Sequence, residues 1–138
     1  MSEFKNKTII VTGSTTGIGE ATALEFAKQG ANVVVTGRRE DIGKKVVENI
    51  KDFGGEACFY KLDVSNESQV AGSIEFATSK YGQLDYAFNN AGIGGKLGDL
   101  TSLTEDDWDN VMNINLKGVW FCIKHQISQM RKQPSGCY

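Results

Sequence analysis

The sequence has few of the residues that mark disulfide-stabilised, metal-binding or histidine-dependent proteins. Its 138 residues include three cysteines and one histidine. Cys58, Cys122 and Cys137 are far apart and lack metal-ligand spacing, so neither a disulfide framework nor a metal site is indicated. His125 has no serine, aspartate or cysteine arranged around it as a catalytic triad requires, and we therefore assign it a structural or surface role.

Long apolar runs and an excess of one charge are also missing. No apolar stretch approaches the ~20 residues of a membrane-spanning helix, and the N-terminus, Met1 to Lys7, is polar. The 15 basic and 17 acidic residues are interspersed, which leaves no basic stripe for nucleic acid or membrane lipid. The single proline, Pro134, follows the last helical pattern. We expect one domain, residues 1–138, in a cytoplasmic protein with neither nucleic-acid nor membrane partners.

Glycine, in contrast, is plentiful, and three glycines follow the first apolar run, Thr8 to Val11. The segment reads Thr12-Gly13-Ser14-Thr15-Thr16-Gly17-Ile18-Gly19 and leads directly into a helical pattern. A glycine-rich turn between a strand and a helix places free backbone N–H groups where an anionic phosphate binds. The G-x-x-x-G-x-G spacing is not that of a P-loop, and no Lys-Ser or Lys-Thr closes the loop, so an NTPase is not indicated. Taken alone, this motif leaves a plain tight turn as the alternative.

Strand patterns alternate with helix patterns along the rest of the chain. Strands are predicted over 8–11, 32–36, 57–62 and 84–88, and Ser65 is predicted to cap the third helix. This alternation predicts right-handed βαβ crossovers and an α/β fold with a parallel, doubly wound sheet. A nucleotide would bind at the carboxyl ends of the strands, the position of Gly13, Gly37, Asp63 and Asn90.

The last helix is predicted to run from a capping box at Thr104 to about Gln129, with two apolar strips. The broader strip, predicted to face the sheet together with Asn115, contains Trp108, Val111, Met112, Val119, Cys122 and Ile123. The narrower strip contains Ile114, Gly118 and Phe121. We expect it to be exposed and to mediate homo-oligomer formation, with scattered surface hydrophobics as the alternative.

Four motifs in order resemble the short-chain dehydrogenase/reductase family, over about Lys7 to Arg131. They are Thr12-Gly13-x-x-x-Gly17-Ile18-Gly19, Asp63-Val64, Asn89-Asn90-Ala91-Gly92 and Asn113-x-Asn115-Leu116-x-Gly118-Val119. The resemblance implies a Rossmann-like sheet of four strands in the order 3-2-1-4, incomplete relative to the family, that binds a nicotinamide dinucleotide.

The resemblance also implies a role for each matching residue. The phosphate and ribose contacts would come from Gly13, Ser14, Thr15, Thr16, Gly17, Ile18 and Gly19. Asp63 and Val64 would contact the adenine, and the ribose side would be lined by Asn90, Ala91 and Gly92. Asn115 would be the catalytic asparagine that holds a water in the proton relay. The alternative for Asn115 is a side chain that only ties a helix to a loop.

In the family, a further strand ends near a serine and the next helix carries a Tyr-x-x-x-Lys pair. The sequence ends at Tyr138, which has no lysine four places on. We therefore expect the cofactor-binding portion of an NAD(P)-dependent oxidoreductase that transfers hydride between nicotinamide and an alcohol or carbonyl. The alternative is a catalytically silent, truncated nucleotide-binding or assembly module.

The end of the second predicted strand bears on the choice of cofactor. NAD-binding members of the family place an acidic side chain there, whereas this chain has Gly37 followed by Arg38 and Arg39. Because guanidinium groups suit a 2′-phosphate, NADP(H) is favoured over NAD(H). Two solvated arginines are the alternative.

Overall fold

A computed structural model describes residues 2–136 and confirms the predicted alternation of strands and helices. The strands are β1 (Thr8–Thr12), β2 (Asn32–Gly37), β3 (Glu56–Lys61) and β4 (Tyr86–Asn89), and the first three helices are α1 (Gly17–Lys28), α2 (Glu40–Asp52) and α3 (Glu67–Tyr81). All three strand pairs are parallel, and the order β3-β2-β1-β4 is the predicted one. The predictions made for Cys137 and Tyr138 lie outside the described residues.

The central strands are buried on both faces, as their continuous apolar sequences require. Successive side chains of a strand point to opposite faces, so neighbouring residues enter different core clusters. Ile9 and Val11 pack with residues of α1 and α2, whereas Ile10 packs with residues of α3 and of the last helix. The sheet is therefore covered by helices on both faces, which leaves the carboxyl ends of its strands as the open edge for a ligand.

The last helical stretch has three parts: α4 (Glu105–Met112), a six-residue π-helical segment (Asn113–Gly118) and α5 (Val119–Met130). The predicted capping box is present. Thr104 Oγ1 accepts a hydrogen bond from the Asp107 backbone N–H at 3.2 Å, and the Asp107 carboxylate accepts one from the Thr104 N–H at 2.9 Å. The backbone hydrogen bond from Thr104 is the main cause of a lowered pKa at Asp107. The cap thus fixes where α4 begins.

The predicted orientation of this helical stretch is wrong in part. Cys122 of the broader strip is buried as predicted, but Trp108 and Ile123 are exposed, and the strip of Ile114, Gly118 and Phe121 is buried instead of exposed. A Cβ added to Gly118 would lie 2.7 Å from Val64 Cγ2, so the missing side chain lets the helix approach the loop after β3. Close approach at a glycine, rather than the larger apolar bulk, selects the strip that faces the core.

The predicted cap of α3 is also wrong by one residue. Asn66, not Ser65, is the N-cap, and its Oδ1 accepts a hydrogen bond from Gln69 N at 3.2 Å. Ser65 instead donates its hydroxyl to Asp63 Oδ1 at 2.7 Å. Both residue types are good caps, and the earlier aspartate engages the serine first. Within residues 2–136, no helix is long and apolar enough to cross a bilayer.

Candidate nucleotide-binding site

A cavity of about 530 Å³ lies at the carboxyl ends of the strands. It is lined by these predicted residues: Gly13, Thr15, Thr16, Ile18, Arg38, Arg39, Asp63, Val64, Asn90, Ala91 and Gly92. Its volume is in the range of pockets that hold small-molecule ligands. The topology therefore brings together residues that are far apart in the chain, and a hydrogen bond of 3.0 Å from Ala91 N to Thr12 Oγ1, 79 positions away, ties two of the strand ends together.

The glycine-rich loop forms one wall of this cavity and depends on its glycines. Gly13 and Gly17 have φ values of +64° and +61°, in the left-handed region that side chains disfavour. A Cβ on Gly13 would lie 2.9 Å from Ala91 Cα, and one on Gly19 would lie 2.6 Å from Asn90 Nδ2 and overlap Gly13 O. Gly17 and Gly19 do not line the cavity. Gly17 provides the left-handed turn, and Gly19 allows the loop to pack tightly against the end of β4.

Ser14 does not line the cavity either, because it lies behind the loop and is fully buried. Its hydroxyl donates to Val11 O at 2.8 Å and accepts from Thr36 N at 2.9 Å. Its backbone N–H donates to Thr36 O at 2.9 Å. Ser14 therefore joins the loop to β2 through Thr36 and sets the position of the residues that do face the cavity.

Asn90 joins the loop to the end of β4. Its Nδ2 donates to Thr12 O at 3.3 Å and to Gly13 O at 3.2 Å. The neighbouring Asn89 exchanges two amide hydrogen bonds with Gln126 of α5, at 2.9 and 2.7 Å. The two asparagines thus brace opposite sides of the strand end, one toward the loop and the other toward the helix.

Asp63 holds a carboxylate at the end of β3. Its Oδ1 accepts hydrogen bonds from Ser65 N at 3.0 Å and from Ser65 Oγ at 2.7 Å, and its own N–H donates to Gln69 Oε1 at 2.8 Å. The hydrogen bonds between the described residues and this carboxylate all use Oδ1. The second oxygen therefore remains for a ligand donor.

The cavity rim carries two cations. Arg38 and Arg39 are exposed, and they follow β2 directly, so they lie at its carboxyl end. Asp63 is the single acidic residue among the described residues that line the cavity. The charge balance of the lining, two guanidinium groups against one carboxylate, suits an anionic ligand.

Asn115 is exposed, which contradicts its predicted inward position. Its Oδ1 accepts from Ile93 N and its Nδ2 donates to Ile93 O, both at 2.8 Å. This pair of hydrogen bonds joins the π-helical segment to the loop after β4. The contact agrees with the alternative interpretation of Asn115, a side chain that ties a helix to a loop. Each end of the amide makes one of its two possible hydrogen bonds in this pair, so one N–H and one oxygen lone pair remain for a water.

Sequence reasoning missed three apolar residues of the lining: Leu62, Ile93 and Ile114. Leu62 precedes Asp63 at a strand end, and Ile93 follows Gly92, so adjacency to the predicted residues was the available signal. Ile114 was missed because its strip was assigned to the outer face of the helix. These side chains supply the apolar part of the wall, which is typical of nucleotide sites.

Among residues 2–136, the other titratable and thiol side chains do not line the cavity. His125 Nε2 lies 2.9 Å from Glu67 Oε1, and Lys124 Nζ lies 2.6 Å from the same oxygen. These hydrogen bonds, led by that from Lys124, lower the pKa of Glu67. Cys58 and Cys122 are buried free thiols. No group of three or more His, Cys, Asp or Glu side chains within residues 2–136 is arranged to hold a metal ion.

Comparison with known proteins places these observations in a family. The family model described as short chain dehydrogenase matches residues 7–137. A 3beta-hydroxysteroid dehydrogenase of Mediterraneibacter gnavus is 43% identical over 136 residues, which cover 99% of this chain and 49% of that protein. A cyclohexanol dehydrogenase of an Acinetobacter species is 36% identical over 126 residues, covering 91% of this chain and 50% of that protein.

A solved structure supports the same conclusion. The citronellol catabolism dehydrogenase of Pseudomonas aeruginosa superimposes with a TM-score of 0.90 at 30% identity, covering 98% of this chain and 55% of that one. The chain thus spans about half the length of the relatives it matches. The glycine-rich loop, the parallel sheet and the matched family model agree, and the chain belongs to the short-chain dehydrogenase/reductase family.

Proposed function

We propose that the chain is the cofactor-binding portion of an NAD(P)-dependent oxidoreductase that transfers hydride between nicotinamide and a small alcohol or carbonyl substrate. The observation that carries this proposal is the meeting of the glycine-rich loop, Asp63 and Asn90 in one cavity. Residues 1–138 would form a single domain. When bound, a nicotinamide dinucleotide supplies the hydride chemistry, and the protein supplies binding and orientation.

The residues present fit such a cofactor. Because Gly13 and Gly19 have no side chains, the loop packs closely against the end of β4 and leads directly into α1. The free backbone N–H groups at the start of a helix are where a pyrophosphate binds. We assign phosphate and ribose contacts to Gly13, Thr15, Thr16 and Ile18, with Ser14, Gly17 and Gly19 shaping the loop from behind. Adenine contact is assigned to Asp63 and Val64, and the ribose side to Asn90, Ala91 and Gly92.

The cofactor is proposed to be NADP(H) in preference to NAD(H). Arg38 and Arg39 lie on the cavity rim at the end of β2, and a charge-assisted hydrogen bond to a 2′-phosphate contributes about 1.5–3 kcal/mol. Calorimetric titration of the chain with NADPH and NADH tests this. Arg38→Ala is expected to weaken NADPH binding by about tenfold or more and to leave NADH binding unchanged.

Arg131→Ala is the matched control, because it removes one exposed arginine near the end of α5, outside the residues that line the cavity. It should leave both affinities unchanged. NADH binding as tight as NADPH binding to the wild-type chain refutes the preference. Binding of neither cofactor refutes the assignment of the cavity.

Catalysis is the second part of the proposal. Asn115 is proposed as the catalytic asparagine that holds a water in the proton relay, while its paired hydrogen bonds to Ile93 fix its position. The chain contains no Tyr-x-x-x-Lys pair, so the 138-residue chain by itself is expected to show no appreciable turnover. A substrate panel followed by nicotinamide absorbance, with the mass of the chain verified, tests this expectation; steady turnover contradicts it.

A catalytically silent binding or assembly module is the second candidate function. Such a module would bind the cofactor in the same cavity without turnover. The two candidates differ in whether the cofactor-loaded chain gains turnover when joined to the remaining half of a relative. Recovery of hydride transfer in such a fusion supports the oxidoreductase; tight cofactor binding without recovery supports the silent module.

Self-association is proposed for the exposed face of the last helical stretch. This face contains Trp108, Leu116, Trp120 and Ile123, with exposed fractions of 66, 61, 56 and 36%. It replaces the strip expected from the sequence, which is buried. A large exposed apolar patch is typical of an interface.

Light scattering of two variants tests this proposal. Trp120→Glu should yield a monomer, whereas Leu97→Glu, at an exposed leucine outside the helix, should leave the oligomer intact. A wild-type chain that is monomeric at tens of micromolar refutes the proposal.

The remaining proposals concern location and partners. A cytoplasmic location is proposed on the balanced charge and the few cysteines. Partners are proposed to be the cofactor, a small-molecule substrate and further copies of the chain, without nucleic acid or membrane. Cell fractionation of a tagged chain tests the location.

A further inference from the structure

The contact between the glycine-rich loop and the end of β2 has a consequence for cofactor choice. Gly37 is the last residue of β2 and is buried. A Cβ added to Gly37 would overlap Thr15 Cγ2 and would lie 3.3 Å from Thr15 Oγ1. The Thr15 methyl group therefore occupies the space in which any side chain at position 37 would begin.

Neither backbone can move aside to relieve this overlap. Gly37 is held by its parallel register with Lys61 and by the hydrogen bond that its carbonyl accepts from Leu62 N at 2.9 Å. On the other side, Ser14 holds the loop to Thr36 with two hydrogen bonds of 2.9 Å. The atoms that would collide thus lie on two segments tied together one residue away.

Rotation of the Thr15 side chain gives little relief. Thr15 is 8% exposed, and a β-branched side chain has restricted freedom about χ1. Exchange of the methyl and hydroxyl positions still places a heavy atom near position 37. In the third χ1 rotamer the hydrogen on Thr15 Cβ points toward Gly37, and the methyl group must then fit elsewhere in the packed loop.

From these contacts we infer that Thr15 is a specificity-determining residue that excludes a carboxylate from the end of β2. The inference rests on the proposed function, in which the end of β2 faces the adenosine ribose. An acidic side chain at position 37 would accept the ribose hydroxyls of NAD(H). Thr15 makes that side chain sterically inadmissible, so the choice of cofactor depends on the pair Thr15–Gly37 as well as on the two arginines.

The first arm of the test measures the stability of the chain without cofactor. Gly37→Ala introduces only the Cβ and is expected to lower Tm by about 5 °C or more, because overpacking a buried site is destabilising. Thr15→Ser removes Cγ2 and keeps the hydroxyl, and the double variant should recover most of the loss. Gly94→Ala, at a glycine with no atom within 4 Å of an added Cβ, is the control and should leave Tm unchanged.

The second arm measures the Kd values for NADH and NADPH with Gly37→Asp, with and without Thr15→Ser. The double variant is expected to bind NADH at least about tenfold more tightly, relative to NADPH, than Gly37→Asp alone does. Additive effects in both arms overturn the inference, as does a Gly37→Ala variant as stable as the Gly94→Ala control.

The two arms separate this inference from the proposed function. If the wild-type chain binds neither cofactor, the proposed function fails, and the Tm cycle still decides whether Thr15 blocks position 37. If the wild type prefers NADPH but the Tm and Kd effects of the two substitutions are additive, the proposed function stands and Thr15 has no part in the specificity.

Discussion

Gly19→Ala is the substitution for which the structure makes the sharpest stability prediction. The new methyl group would overlap Gly13 O and lie 2.6 Å from Asn90 Nδ2. Overpacking of this kind costs about 1–3 kcal/mol. Displacement of Asn90 would also weaken its hydrogen bonds to Thr12 O and Gly13 O, each contributing about 1 kcal/mol. Alanine has the better helix propensity by about 1 kcal/mol, which offsets part of this. The net loss is about 2–3 kcal/mol.

Urea denaturation measures this loss as a shift in midpoint of about 1 M or more at unchanged slope. Gly94→Ala serves as the control, since nothing lies within 4 Å of its added Cβ. Gly19→Ala should also lose cofactor binding, because the loop must move to accept the methyl group. If helix propensity prevails and Gly19→Ala is as stable as the wild type, the close packing of the loop against Asn90 is refuted.

Three further predictions test other parts of the molecule. Thr104→Ala should cost about 1 kcal/mol in urea denaturation, since it removes one half of the capping box. Ser135→Ala, at an exposed serine outside the helices, is the comparison, and equal stabilities of the two variants contradict the role of the cap. Burial raises the pKa of Cys122 from 9.0 to about 11, so the stability that its neutral thiol contributes is complete below pH 9 and is lost as pH rises toward 11. Cys122→Ala should therefore show a shallower fall in stability between about pH 9 and 11, and parallel curves for the variant and the wild type argue against this role of Cys122. Phe121→Glu should destabilise the monomer by about 3 kcal/mol or more, because Phe121 packs with Leu62 and Val64 in the core. An unchanged denaturation midpoint would contradict the burial of Phe121.

The fold was predictable because its signals are local and repeated. Each strand is a short apolar run bounded by glycine or polar residues, and each helix between strands has a visible stripe. Right-handed crossovers leave few topologies for such a chain, and the order 3-2-1-4 was among the predictions confirmed. Boundaries were less accurate: β4 begins at Tyr86, two residues later than its apolar pattern, and the backbone of Leu84 bonds to the Gln133 side chain instead of to β1. Leu84 N, for example, donates to Gln133 Oε1 at 3.0 Å.

The candidate site was predictable to the extent that its residues lie at strand ends. Gly13, Asp63 and Asn90 come together because parallel strands have their carboxyl ends on one edge. The sequence did not predict which loop residues face the cavity and which lie behind it. Ser14 and Thr15 are adjacent and similar in polarity, yet Ser14 is bonded to Thr36 and Thr15 faces the cavity. That difference arises from the path of the loop across β2, which a linear motif does not record.

The orientation of the last helical stretch shows why apolar bulk alone does not identify a buried face. The broader of its two strips has more apolar side chains, and a hydrophobic period of 3.6 residues therefore favours the wrong strip. Gly118 decides between them, because a side chain there would collide with Val64. A helix packs most closely where its smallest residue lies, so the large side chains of Trp108 and Trp120 are left on the outside. The same glycine therefore accounts for the buried Phe121 and for the exposed aromatic face, and the site of any self-association moves from Phe121 to Trp120.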